Sequence, residues 1–210
     1  MNLPRILADV ERGVLPEPDG GVTMVPQPSR RDAGVLSFSA HAVVFADTDH
    51  AWMRGLLAPG DLGAPLSPAF LHALERRVGR RVEAIDMMVL APPLPGPPEL
   101  PLEPATDRTH PRVVRALEHR DDVRAWTAPG GTVLIGRGVG GRWEAAVEVD
   151  PGARGAGLGR RLARAARHLV PGGRPVWAQI SPGNAASVRA FLAAGYVPVG
   201  AEALLVADGG

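Results

Sequence analysis

Between Val35 and Ala46 (VLSFSAHAVVFA) β-branched, aromatic and small residues run together as a strand, and Arg81–Leu90 (RVEAIDMMVL) reads as another. Helices are predicted over Asp49–Leu57 and Pro68–Val78, the second with Ser67 as N-cap, Pro68 in its first turn and Gly79 just past its end. The first thirty residues, punctuated by Pro, Gly and Asp, predict a loose arm with at most one short helix. Pro92–Pro104 (PPLPGPPELPLEP) lacks donors at its prolines and fixes their φ, so it reads as an extended linker. Beyond it the pattern is regular. A short helix near Arg112–Arg120 precedes strands at Val123–Thr127, Thr132–Arg137 and Trp143–Val149, the first two joined by Pro129-Gly130-Gly131, which read as an antiparallel meander. A helix over Gly157–Leu169, a strand at Pro175–Ile180, a helix over Ala185–Ala194 and two short strands, Tyr196–Val199 and Ala203–Val206, complete the chain.

Composition narrows the chemistry. The 210 residues are 45% hydrophobic, enough to bury a core in one generous domain or two small ones. A net charge of +1 gives no general attraction to nucleic acid or an anionic membrane. Every basic side chain other than histidine is arginine, so a lysine Schiff base and a P-loop lysine are excluded. With 0 Cys there is no disulfide, thiolate nucleophile or thiolate metal site. The six histidines show no paired metal spacing, and no metal is assigned. The opening MNLPRILADVERGV carries acids and lacks the long apolar run of a signal peptide or membrane span, so a soluble cytoplasmic protein without a membrane partner is expected.

The strand ending at Val149 runs into Asp150-Pro151-Gly152-Ala153 and then Arg154-Gly155-Ala156-Gly157-Leu158-Gly159-Arg160, where an Arg- and Ala-rich helix begins. Glycines without Cβ let backbone N–H groups converge, and the free donors and positive dipole end of the new helix add to them, an arrangement suited to a pyrophosphate. Glycines serving only to make the turn are the simpler alternative. The spacing fits neither a dinucleotide fingerprint nor a P-loop.

Arg154-x-x-Gly157-x-Gly159 after such a strand resembles the acetyl-CoA-binding motif of the GNAT superfamily of N-acetyltransferases. A second motif follows in the right order: Asn184, then Ser187, Phe191, Gly195 and Tyr196 at +3, +7, +11 and +12. Together the motifs place the resemblance at about residues 107 to 206. It implies that Arg154, Gly155, Ala156, Gly157, Leu158, Gly159 and Arg160 hold the pyrophosphate. It also implies that backbone at Val147 and Val149 pairs with the pantetheine arm, that Asn184 and Ser187 meet the cofactor, and that Phe191 packs near its acetyl end. Arg160, Arg164 and Arg167 share a helical face that would draw the 3′-phosphate, or be merely solvated.

Catalytic groups are harder to assign. Many family members carry a tyrosine acid where this chain has Phe191, and Tyr196 reads as a packing aromatic. Ser187 or a water is left as proton donor, with a backbone N–H near Val149 for the oxyanion. The family's strand carboxylate aligns with Trp143, so Glu144 would reach the cleft as a base only through a β-bulge; Glu148, on the same face as Glu144, is the second candidate. His110, His119 and the Asp121-Asp122 pair are weaker candidates for acceptor contact.

The expected architecture is an α/β fold: a mixed, mostly antiparallel GNAT-type sheet flanked by helices over residues 106–210, preceded by an αβ region over residues 1–105 that ends in the linker 92–104. The expected activity is transfer of an acetyl group from acetyl-CoA to a small-molecule or peptide primary amine. The competing expectation is a non-catalytic acyl-CoA sensor or interaction module. A homodimer is compatible with either.

Overall fold

Asn2 opens the first helix, its side chain accepting the Arg5 N–H at 3.0 Å, and Leu3, Ile6, Leu7 and Val10 form the buried stripe of α1 (Leu3–Glu11). The computed structural model describes residues 1–107 and 109–207, which fall into two compact units: residues 1–87 with the chain from Val199 onward, and Met88–Pro198.

In the first unit α1 is followed by β1 (Val22–Val25), β2 (Ala33–Phe38), β3 (His41–Phe45), α2 (His50–Leu56), α3 (Pro68–Val78) and β4 (Arg80–Ala91), whose last four residues enter the second unit. The supposed single strand 35–46 is a hairpin. Its turn carries no glycine or asparagine; Ala40 takes φ 55° and its carbonyl accepts the Gly20 N–H at 2.8 Å. The supposed loose arm is ordered too, because β1 pairs in parallel with β3 from Val22↔Ala42 to Val25↔Phe45. His41 fastens this corner, its ring meeting Asp19 Oδ1 at 2.7 Å and Thr23 Oγ1 at 2.9 Å. The caps read in the sequence are present: Ser67 Oγ accepts the Phe70 N–H, and Gly79 ends α3 at φ 66°.

The second unit adds β5 (Glu103–Pro104), α4 (Pro111–His119), β6 (Asp121–Ala128), β7 (Gly131–Arg137), β8 (Trp143–Val149), α5 (Leu158–Leu169), β9 (Val176–Ile180) and α6 (Ala185–Ala193). The proline-rich stretch 92–104 lies within it. Strands run in the order β4-β9-β8-β7-β6-β5, antiparallel from β5 to β8 and parallel between β8 and β9. The two expected closing strands are one, β10 (Val197–Ala207), since Gly200 stays extended at φ 157°. In the first unit β10 joins the order β1-β3-β2-β10-β4 and contributes Ala203 and Leu205 to a core with Val35, Val44, Phe70 and Leu74.

The molecule is therefore a mixed α/β fold with a mostly antiparallel sheet and an additional N-terminal αβ region. Among the described residues, no helix is long and apolar enough to cross a membrane.

Candidate active site

The site is built around β8. Its register with β7 is unbroken from Gly131↔Val149 to Arg137↔Trp143, and Asp150 N–H donates to Gly130 O at 2.9 Å. In an antiparallel ladder, hydrogen-bonded residues alternate, so Glu148, Ala146 and Glu144 bond toward β7 while the N–H and C=O of Val147 and Val149 point the other way. On that other side β9 is registered with β8 only at Glu144↔Trp177. Beyond this point the strands part. Two arginines stand at the open edge: Arg112 Nη2 donates to Val147 O at 3.2 Å and Arg154 Nε to Val149 O at 3.4 Å.

Val149 leads into the glycine-rich turn. A short 3₁₀ turn at Pro151–Ala153 precedes Arg154–Gly157, which are exposed, and Gly157 takes φ 75° as N-cap of α5. Without a Cβ it adopts this left-handed conformation freely. No side chain caps the helix and no acid stands in its first turn. The first α-helical bond is Arg161 N–H to Gly157 O, so the N–H groups of Leu158, Gly159 and Arg160 have no partner within the helix. Buried Leu158 anchors the turn, and a Cβ on Gly159 would sit 3.6 Å from both Val149 Cγ2 and Ala190 Cβ. The end of β8, the start of α5 and α6 thus converge.

Asn184 is exposed and its Oδ1 accepts the Ser187 N–H at 3.0 Å, so it caps α6. Ser187 is half-buried in the first turn of that helix. Phe191 is buried edge-to-face against Tyr196, with centroids 4.9 Å apart. The Tyr196 hydroxyl donates to Ala163 O at 3.1 Å, and burial raises its pKa, which makes it a packing residue as read from the sequence.

Glu144 corrects the sequence reading. β8 contains no bulge, and the Glu144 carboxylate is buried between Arg120 Nε and Arg142 Nε, each at 2.8 Å. Burial alone would raise its pKa, but Arg142 and Arg120 outweigh it and draw the group down to about 2. A carboxylate so stabilised in its charged form is a poor base. Arg142 also lies over Trp177, its guanidinium carbon 5.0 Å from the ring centroid, and Arg120 reaches Gln179 Oε1 at 3.2 Å. The fit is close: a Cβ on Gly138 would fall 2.2 Å from the Glu144 carboxyl carbon.

Other candidates are distributed differently. Glu148 is exposed and meets Arg112 Nε at 3.2 Å. Arg167 leaves the proposed 3′-phosphate face: it is buried, donating to Pro92 O and Ala194 O, while Arg164 pairs with Glu99 and Arg160 stays exposed. His110 caps α4, its Nδ1 accepting the Arg112 N–H at 3.3 Å, and His119 lies in the last turn. The register irregularity falls in β6, between Asp121 and Arg124, with Asp122 at φ 51°.

Sequence reasoning missed Arg112, Arg120, Arg142 and Gln179. Only Arg142 left a trace, since residues i and i+2 of a strand share a face. Among the described residues no cluster of His, Asp or Glu could hold a metal ion.

Residues 96–196 match the model of the GNAT family of acetyltransferases. This segment is a GNAT-family domain. The family's chemistry is acyl transfer. Among solved structures, the chain is similar to a GCN5-related N-acetyltransferase from Kribbella flavida at 18% identity and TM-score 0.45, covering 67% of this chain and 64% of that one. It is also similar to a GNAT-family acetyltransferase from Novosphingobium aromaticivorans at 16% identity and TM-score 0.42, covering 63% and 69%. A GCN5-related N-acetyltransferase from Sphaerobacter thermophilus matches at 18% identity and TM-score 0.38, covering 66% and 56%. The match thus spans less than two thirds of the Kribbella and Sphaerobacter chains. No curated protein matches significantly. Within the GNAT domain, the donors at the start of α5 that have no partner within the helix suit a pyrophosphate, and the outward backbone groups of β8 suit an amide-bearing arm.

Proposed function

We propose that the GNAT domain is an N-acetyltransferase that uses acetyl-CoA as donor and a primary amine as acceptor, by direct transfer. The observation that carries this reading is the meeting of the open half of β8 with the uncapped N-terminus of α5. Acetyl-CoA supplies an activated thioester when bound. The backbone from Arg154 to Arg160 would hold its pyrophosphate, with Arg160 as exposed counter-charge, while Val147 and Val149 pair with the pantetheine amides. Asn184 and Phe191 border the arm and its acyl end. The Val149 N–H, directed away from β7, is the oxyanion donor. Ser187 is the side-chain hydroxyl retained for the departing thiolate's proton. Glu148 is the carboxylate retained for the amine, and Glu144 positions Arg120 rather than accepting a proton.

A second reading, an acyl-CoA sensor without turnover, draws on one observation: Phe191 has no hydroxyl and that of Tyr196 is committed to Ala163 O. Both readings require acetyl-CoA binding, and only the first requires amine-dependent thiol release.

The test is thermal stabilisation by acetyl-CoA followed by thiol release against a panel of primary amines. At a hundred times Kd the wild type should gain about 2.7 kcal/mol, and Arg154→Ala less at the same concentration. Stabilisation with amine-dependent release supports the transferase; stabilisation without release across the panel favours the sensor. No stabilisation at millimolar acetyl-CoA removes both.

A further inference from the structure

Arg112, in the first turn of α4, makes two contacts with consecutive residues of β8. Nη2 donates to Val147 O and Nε to the Glu148 carboxylate, each at 3.2 Å. The first bond falls on the open half of the strand, where β9 is no longer in register. An unpaired strand edge is a template for any extended chain that can complete its ladder, and a cation placed on the edge opposes such pairing. Arg112 occupies an acceptor that an incoming amide would use.

The contact is built to open. The Arg112 side chain is 37% exposed and that of Glu148 45%, so each can exchange its partner for water at little cost. α4 does not depend on Arg112 for its seat, because Val113 and Ala116 are buried. Its C-cap residue, Arg120, is tied separately to Glu144 and Gln179. Glu148 projects from the strand beside the carbonyl and so keeps a released guanidinium nearby, ready to return.

We infer that Arg112 is a displaceable latch on the donor edge of β8: it holds the Val147 carbonyl until an amide-bearing arm pairs there, and its release subtracts from donor affinity. This rests on the reading that the pantetheine arm of acetyl-CoA pairs with β8. It makes Arg112 a determinant of affinity for the arm and not for the nucleotide.

The experiment is calorimetric titration of the full chain with CoA and with adenosine 3′,5′-bisphosphate, which shares the nucleotide but lacks the arm. Arg112→Met keeps the aliphatic stem and removes the donors; it should bind CoA about fivefold more tightly than wild type, the net scale of one ordinary hydrogen bond lost from the competing state. Affinity for the bisphosphate should stay within about twofold, the arm being absent from that ligand. Glu148→Gln, which removes the tether and leaves the carbonyl bond, should tighten CoA by a smaller factor and serves as the second variant if Arg112→Met does not fold. Unchanged or weaker CoA binding in a folded variant overturns the latch, as does an equal change for both ligands, which would mark a general charge effect. Failure of the wild type to bind CoA overturns instead the donor-site reading beneath it.

Discussion

Replacing Glu144 with glutamine should lower the unfolding midpoint at pH 7 by roughly 6–12 °C. The carboxylate is 4% exposed and compensates Arg120 and Arg142, the latter 1% exposed. Breaking a buried ion pair by removing one partner costs about 3–5 kcal/mol. Glutamine keeps one acceptor, which favours the lower end, and at about 2–4 °C per kcal/mol for a chain of this size the shift follows.

The sign of the pH dependence is fixed by the same geometry. The Glu144 pKa falls from 4.5 to about 2 on folding, so its stabilisation is fully present above 4.5 and is lost as the pH drops through 2. The gap between wild type and Glu144→Gln should therefore be flat from pH 5 to 8 and narrow steadily below 4.5. Thermal melts of both proteins at pH 7, 4 and 3 measure it. A variant with an unaltered midpoint and a rate deficit mainly below the pKa of the acceptor amine would restore Glu144 as a base.

That reversal of role shows where the sequence was legible. A strand running into Arg154-Gly155-Ala156-Gly157 and then a helix is local information: the glycines permit the turn, and no side chain caps the helix it starts. The second motif is local too, with Asn184 capping its own helix. Local caps and periodicity also account for α3, β4 and the meander β6 to β8. What could not be read depends on pairings distant in sequence. Arg120 meets Glu144 across 24 positions and Gln179 across 59. Arg167, placed by helical period beside Arg160 and Arg164, is claimed by the Pro92 carbonyl 75 positions away. In the N-terminal region β1 forms because β3 offers it an edge, and the turn at Ser39-Ala40 carries no glycine or asparagine to announce its left-handed residue.

Gly157→Glu should abolish most of the stabilisation by acetyl-CoA while leaving the fold close to wild type in stability. A Cβ at Gly157 meets nothing within 4 Å, so the substitution strikes no core atom. Its structural cost is the left-handed backbone at φ 75°, about 1–2 kcal/mol for a residue with a Cβ. Part of that is returned, because a carboxylate at the N-terminus of α5 gains about 0.3–1 kcal/mol from the helix dipole. The same carboxylate would compete with a pyrophosphate for the N–H groups of Leu158 to Arg160 and repel it. A hundredfold loss of affinity is the expected scale, so that a ligand concentration stabilising wild type by about 2.7 kcal/mol should stabilise the variant by only about 0.4 kcal/mol. Gly157→Ala separates the causes: it carries the backbone strain without the charge and should retain most of the ligand-induced shift. If alanine and glutamate lose the shift equally, the turn acts through its conformation alone; if neither loses it, the pyrophosphate does not lie at the start of α5 and the donor site must be sought elsewhere on the domain.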